Sequence, residues 1–197
     1  MTSSAAAQLA QSRWTKAGLD FRNLIWCFTV IGVMIWAIVD ELDWLLRFIH
    51  IVTGVLLTGA DILLGFLIGP ILRSLDFKAR REFSLKMLPK TLFIMNTLGL
   101  VAPTSGWFLA VRTGYLDLGY PEFYWVIAAL VISAILAIQG LGLLLPANLK
   151  AYLEWRKEKP DPARVQRFMR IYFVVVGSQG LMQVAIVIVM VNFAYGL

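Results

Sequence analysis

Apolar residues along this chain gather into five long runs, at residues 24–39, 44–72, 91–111, 124–149 and 171–195, separated by short polar stretches. A helix needs roughly 20 mostly apolar residues to cross the hydrocarbon core of a bilayer. The first run is near the lower limit of that length and the others exceed it. The pattern predicts five transmembrane helices at those positions, forming one domain over residues 24–197. A cytoplasmic segment, residues 1–23, precedes them and contains a polar amphipathic stretch over residues 5–22. The first run ends in Asp40, Glu41 and Asp43 without an Ala-x-Ala pattern, so a cleaved signal peptide is not expected.

Composition agrees with the pattern. Hydrophobic residues are 59% of the 197 and charged residues only 15%, a balance that would leave a soluble domain of this size with large exposed apolar patches. The fold class is therefore an all-α integral membrane protein. Of the 18 basic residues, all but Arg47 and Arg112 fall before the first run or in the second and fourth connections. The other side carries Asp40, Glu41, Asp43, Asp117 and Glu122. The positive-inside rule then places the N-terminus in the cytoplasm and the C-terminus beyond the membrane, and the basic charge is topology rather than nucleic-acid binding. Trp44, Trp107, Tyr115, Tyr120, Tyr124, Trp125 and Tyr195 are expected in an outer aromatic belt, with Tyr152 and Trp155 at the inner face. Cys27 is the only cysteine, which excludes an intrachain disulfide framework and a thiolate metal cluster.

The second to fifth runs read as a duplicated hairpin. FLIGPILRSL, from Phe66, and GLLLPANLKAYL, from Gly142, each lead into a basic loop and a further helix. Pro70 and Pro146 are expected to end their helices just before the cationic cap. Two such hairpins make a four-helix bundle, with residues 24–39 added at its periphery. Gly54 with Thr58, Gly65 with Gly69, Gly140, Gly142, Gly177 and Gly180 mark expected close helix contacts. Pro103 should kink the third helix, with Thr104 or Ser105 re-satisfying the backbone.

Polar groups at membrane depth are the candidates for chemistry, because burying them is costly. His50, the one histidine, lies roughly 9 Å below the outer interface at 1.5 Å rise per residue, and Met190 and Met34 fall at a similar depth. An imidazole and a thioether on facing helices are a ligand set for haem iron. Arg47, one turn nearer the water on the face of His50, suits haem propionates. The alternatives are that His50 hydrogen-bonds a carbonyl or hydroxyl across the bundle, that Met190 fills space, and that Arg47 pairs with Asp43. Asp61 lies about 16 Å further in on nearly the same face, too far to share a metal with His50. It is expected to hydrogen-bond Asn96, or else to form a proton relay or ion site with Asn96, Gln139, Gln179 and Gln183. Lys90 is expected to snorkel.

The segment LLRFIHIVTGVLLTG, from Leu45 to Gly59, resembles the opening helix of a loose group of small bacterial membrane proteins. These include the membrane domain of cytochrome-linked urate hydroxylases, the membrane protoporphyrinogen oxidases and the copper-resistance D-like proteins. The resemblance implies a haem b ligand at His50 and a bacterial inner-membrane location. Leu57 stands where tryptophan is common in the group. The oxidase-like members pair their histidine with a later lysine, and Lys90 lies at the wrong depth for that role. The expected function is a haem-b-binding or redox-associated subunit, embedded in lipid beside other membrane redox subunits or further copies of itself. The alternatives are a cofactor-free accessory or assembly subunit and a small transporter using Asp61. No nucleotide-binding loop, paired carboxylates or nucleophile with a base supports soluble-type enzyme chemistry.

Overall fold

The structure, a computed structural model, describes residues 22–195, with side chains from residue 24. The expected cytoplasmic segment, with Arg13, Lys16 and the Arg22 side chain, falls outside the described residues apart from the backbone of its last two. The helices are α1 (Arg22–Val39), α2 (Asp43–Ser74), α3 (Phe77–Arg112), α4 (Phe123–Arg156) and α5 (Pro162–Ala194). Among the described residues there is no strand. Four helices, α2 to α5, are long and apolar enough to cross a membrane, and α1 is a shorter apolar helix. Their apolar side chains point outward. Only 6% of the most apolar stretch of α4 is buried inside the protein, and even in α3 the share is 33%. Surfaces of that kind suit hydrocarbon as solvent, where a helix pairs most of its backbone groups within itself. Trp44, Trp107, Tyr120, Tyr124, Trp125 and Tyr195 are exposed near the acidic end, as a belt requires.

The basic stretches are helical rather than looped. α3 begins at Phe77, far ahead of the apolar run, and α4 continues to Arg156. A helix that leaves the membrane keeps its backbone bonds in water and needs only caps, which the sequence supplies. Asp76 accepts from the Ala79 amide at 2.8 Å, and Asp161, followed by Pro162, accepts from the Ala163 amide at 2.9 Å, so α3 and α5 each start at the basic end on a side-chain N-cap. Arginines close the opposite ends. Arg80 donates to the carbonyls of Leu72, Arg73 and Leu75 at 3.0, 2.7 and 3.0 Å, finishing α2. Its neighbour Arg81 donates to Trp155 and Lys157 at 3.1 and 2.6 Å, finishing α4. Adjacent cations on α3 thus satisfy the orphan carbonyls of both helices that arrive there.

The prolines do not end helices. In α2 a π-helical stretch, Leu63–Ile68, precedes Pro70, and in α4 another, Gly140–Leu144, precedes Pro146. The residue before each proline makes the last wide-turn bond, Gly69 to Leu64 and Leu145 to Gly140. The extra residue in the turn absorbs the register at the point where proline has no amide to donate, and α-helix resumes. Helix α3 likewise runs through Pro89 and Pro103. Ser105 donates to the Val101 carbonyl at 2.7 Å, whereas the carbonyl that Pro103 should free is that of Gly99.

The larger apolar core sits at the basic end and joins α2, α3, α4 and α5 through Leu72, Leu88, Tyr152, Trp155, Tyr172 and Val176. Trp155 is wholly buried and tilts against Phe77, with ring centroids 5.2 Å apart. Tyr152 and Trp155 are therefore core residues and not an interfacial belt, because the helical extensions around them enclose what a loop would have left open. A second cluster at the acidic end packs Met34 and Ala37 of α1 against Leu46, Ile49, Val101 and Leu109. There Arg112 bonds Asp43 at 2.9 Å and also the Ile38 carbonyl, clasping three helices.

Helices α2 and α5 cross at glycines. A Cβ on Gly65 would lie 2.7 Å from the Gly177 Cα, one on Gly180 would lie 3.2 Å from Ile62 Cγ1, and one on Gly69 would lie 3.0 Å from the Phe173 ring. Gly54 and Gly142, by contrast, face open space. Thr58 returns its hydroxyl to the Gly54 carbonyl at 2.9 Å within its own helix.

Candidate functional site

Helix α2 carries both ionisable candidates, and they face different neighbours. The ring of His50 turns toward α3, where Nδ1 lies 2.8 Å from the Ala102 carbonyl and 3.4 Å from Ser105 Oγ. A carbonyl oxygen only accepts, so Nδ1 carries a proton, and in the neutral ring Nε2 keeps its lone pair. Space for the ring comes from Gly106. A Cβ there would stand 2.7 Å from Cε1 and 3.1 Å from Nδ1, so any side chain at Gly106 would meet the imidazole. The hydrogen bond to a carbonyl across the bundle, one of the readings open from sequence, is thus present. It is also the contact that orients metal-ligating histidines, since it fixes the tautomer and the ring orientation.

Arg47 is exposed one turn from His50. Asp43, its expected partner, pairs with Arg112 instead, at 2.9 Å. The physical reason is reach: Arg112 arrives from the end of α3 with a second acceptor, the Ile38 carbonyl, beside it. Met190 is half-buried on α5 and is not among the residues packed into either hydrophobic cluster. Met34, at the same expected depth, is committed to the acidic-end core. Among the described residues no group of three or more His, Cys, Asp and Glu side chains is placed to hold a metal ion.

Asp61 sits where α2 meets α5. It is 0% exposed, and its Oδ2 accepts from Gln183 Nε2 at 2.6 Å. Asn96, the expected partner, turns its amide to the Leu92 carbonyl of its own helix at 2.5 Å. Asn96 matches Asp61 in depth along its helix, but depth does not set which way a side chain faces. The glycine crossing of α2 and α5 decides that, by bringing backbones together at Gly65, Gly177 and Gly180 beside the carboxyl. One turn along α5, Gln179 is buried and donates to the Leu136 carbonyl of α4 at 2.9 Å. Gln139 of α4 keeps its Oε1 buried and without a partner. Asp61 and Gln139 each stand just ahead of a π-helical stretch. Turns of that kind are frequent at functional sites. The structure therefore joins Asp61 with Gln183, continues along α5 to Gln179 and α4, and leaves Asn96 out.

Sequence reasoning overlooked Gly106, Ala102 and Ser105 as the seat of His50. A glycine and a serine one turn below Pro103 were the available signal. Compared with known protein families, characterised proteins and solved structures, the chain matches none.

Proposed function

We propose that this chain is a multi-pass protein of the bacterial cytoplasmic membrane that binds a b-type haem through His50. The observation that carries the reading is the Nδ1–H bond to the Ala102 carbonyl at 2.8 Å, which leaves Nε2 as a ligand held in one orientation. What supports haem is one oriented imidazole, with the guanidinium of Arg47, which has no ion-pair partner among the described residues, one turn away for propionates. Met190 is the proposed second ligand, on the strength of its depth. When bound, haem would supply one-electron chemistry between membrane partners. The protein's own part is to orient the imidazole and to exclude water around it.

The topology belongs to the same proposal. Helix α1, with 18 residues, spans about 27 Å at 1.5 Å per residue, against a hydrocarbon core of about 30 Å, and counts as the fifth crossing. The N-terminus is cytoplasmic and the C-terminus lies outside, by the distribution of basic residues. Hairpins α2–α3 and α4–α5 are copies of one unit. The support for this is the pairing of a π-helical stretch, a proline and an aspartate N-cap in each.

Visible spectra of the purified protein, oxidised and reduced, test the haem. The expected result is a reducible b-type spectrum in the wild type that disappears in His50→Ala while the variant still inserts and stays monodisperse. A spectrum unchanged in Met190→Leu removes only the second ligand. A second reading, a cofactor-free accessory subunit, draws on an apolar groove of about 360 Å³ lined by Trp26, Leu56, Ala60, Ile94 and Leu98. A colourless wild type from haem-replete cells favours it.

A further inference from the structure

Asp61 and Gln183 have a hydrogen-bond account that does not close. Gln183 Nε2 donates to Asp61 Oδ2 at 2.6 Å, yet Asp61 Oδ1 and Gln183 Oε1 are both buried with no partner. These are two acceptors on one pair of side chains, 0% and 3% exposed. Buried polar atoms are nearly always satisfied, and leaving one without a partner is costly. The charge does not balance either. The ion pairs among the described residues are Lys86–Glu82, Arg112–Asp43, Lys157–Glu154 and Arg164–Asp161, and none involves Asp61. An ionised carboxylate here would thus be an unpaired charge at membrane depth, one of the most costly arrangements available to a protein.

One particle resolves both deficits. We propose that Asp61 and Gln183 form a membrane-embedded proton-binding site, in which the proton sits on Asp61 Oδ1 and is donated to Gln183 Oε1. The acid and the amide then make a closed ring of two hydrogen bonds, Nε2–H to Oδ2 and Oδ1–H to Oε1, with no net charge and no orphan in the pair. Three features place the site where a proton would be held rather than lost. The glycine crossing at Gly65, Gly177 and Gly180 presses α2 against α5 beside the pair. The π-helical stretch of α2 begins two residues after Asp61. The buried amide of Gln179 carries the polar line on toward α4. A monovalent cation held by the same two oxygens is the competing occupant.

Infrared spectroscopy of the full-length protein at neutral pH reads the proton directly. The expected result is a carboxylic-acid carbonyl band that shifts in D2O, shifts again when the protein is made with 13C-carboxyl aspartate, and is missing from Asp61→Asn. The isotope label assigns the band in the wild type, so the test survives a variant that fails to fold. Asp61→Asn should melt with the wild type, since an asparagine amide can make the same two-bond ring with Gln183, whereas Asp61→Leu should melt clearly lower. Absence of a labelled acid band overturns the proposal. So does a wild type whose melting temperature rises with sodium or potassium while Asp61→Asn does not respond, because a cation then occupies the oxygens.

Discussion

Gly65 and Gly177 face each other across the α2–α5 crossing, but they are not equivalent, and the difference yields a quantitative expectation. A Cβ on Gly65 would stand 2.7 Å from the Gly177 Cα and 2.9 Å from its amide nitrogen. Ordinary contact between carbons is about 3.5–4.0 Å, so Gly65→Ala demands about 1 Å of relief. The opposing atoms are backbone and cannot rotate away. Overpacking of this kind costs about 1–3 kcal/mol, here toward the upper end, offset by about 1 kcal/mol from replacing a helical glycine with alanine. A Cβ on Gly177 would meet nothing within 4 Å, so Gly177→Ala collects the propensity gain alone. The two variants should differ by roughly 3 kcal/mol, which at about 2–4 °C per kcal/mol for a chain of this size separates their melting temperatures by roughly 6–12 °C. Thermal unfolding in detergent, followed by tryptophan fluorescence and by retention of a monodisperse peak, gives the comparison. Equal melting temperatures, or a less stable Gly177→Ala, would refute the asymmetric crossing.

Other consequences are as direct. Gly106→Ala should push the imidazole of His50 off the Ala102 carbonyl, costing about 1 kcal/mol for the hydrogen bond and weakening any haem spectrum in parallel. A wild-type spectrum and stability in that variant would show that the ring is not seated there. Trp155→Ala removes a wholly buried side chain from the basic-end core and should lose about 3–5 kcal/mol, measurable by denaturant titration. A loss under 1 kcal/mol would mean that the helical extensions do not enclose it. Glu41 holds a left-handed backbone, φ 57°, in the turn where the Leu42 amide reaches back to Ala37 at 3.0 Å. Glu41→Gly should therefore raise the melting temperature slightly, by relief of about 1 kcal/mol. For orientation, Ala163→Cys and Lys159→Cys should resist an impermeant thiol reagent in intact cells while Gly119→Cys reacts. The reverse pattern inverts the topology.

The helices were readable from sequence because lipid imposes a length and a polarity that composition reports without tertiary knowledge. Their ends were not. Lys78, Arg80 and Arg81 look like a loop to a hydropathy reading, yet they lie on α3, since charge ends a membrane span and not a helix. Pro70 and Pro146 suggest helix ends because proline removes a hydrogen bond, but a π-helical turn just ahead of each takes up the register and the helix continues. Depth along the helix left Asp61 with polar candidates on both α3 and α5, and Gln183 of α5 is the one that bonds it. The choice between Asn96 and Gln183 needed rotation about the helix axis. That rotation is fixed by Gly65, Gly177 and Gly180, whose partners no single segment reveals.

Haem titration into the purified protein tests the central claim most directly. The wild type should bind haem saturably at one per chain and develop a low-spin or high-spin b-type spectrum. His50→Ala, with unchanged helical circular dichroism and monodispersity, should show only weak, unsaturable partitioning. Saturable one-to-one binding that survives intact in His50→Ala, or a wild type that binds no haem at all, would contradict the assignment of His50 as the ligand.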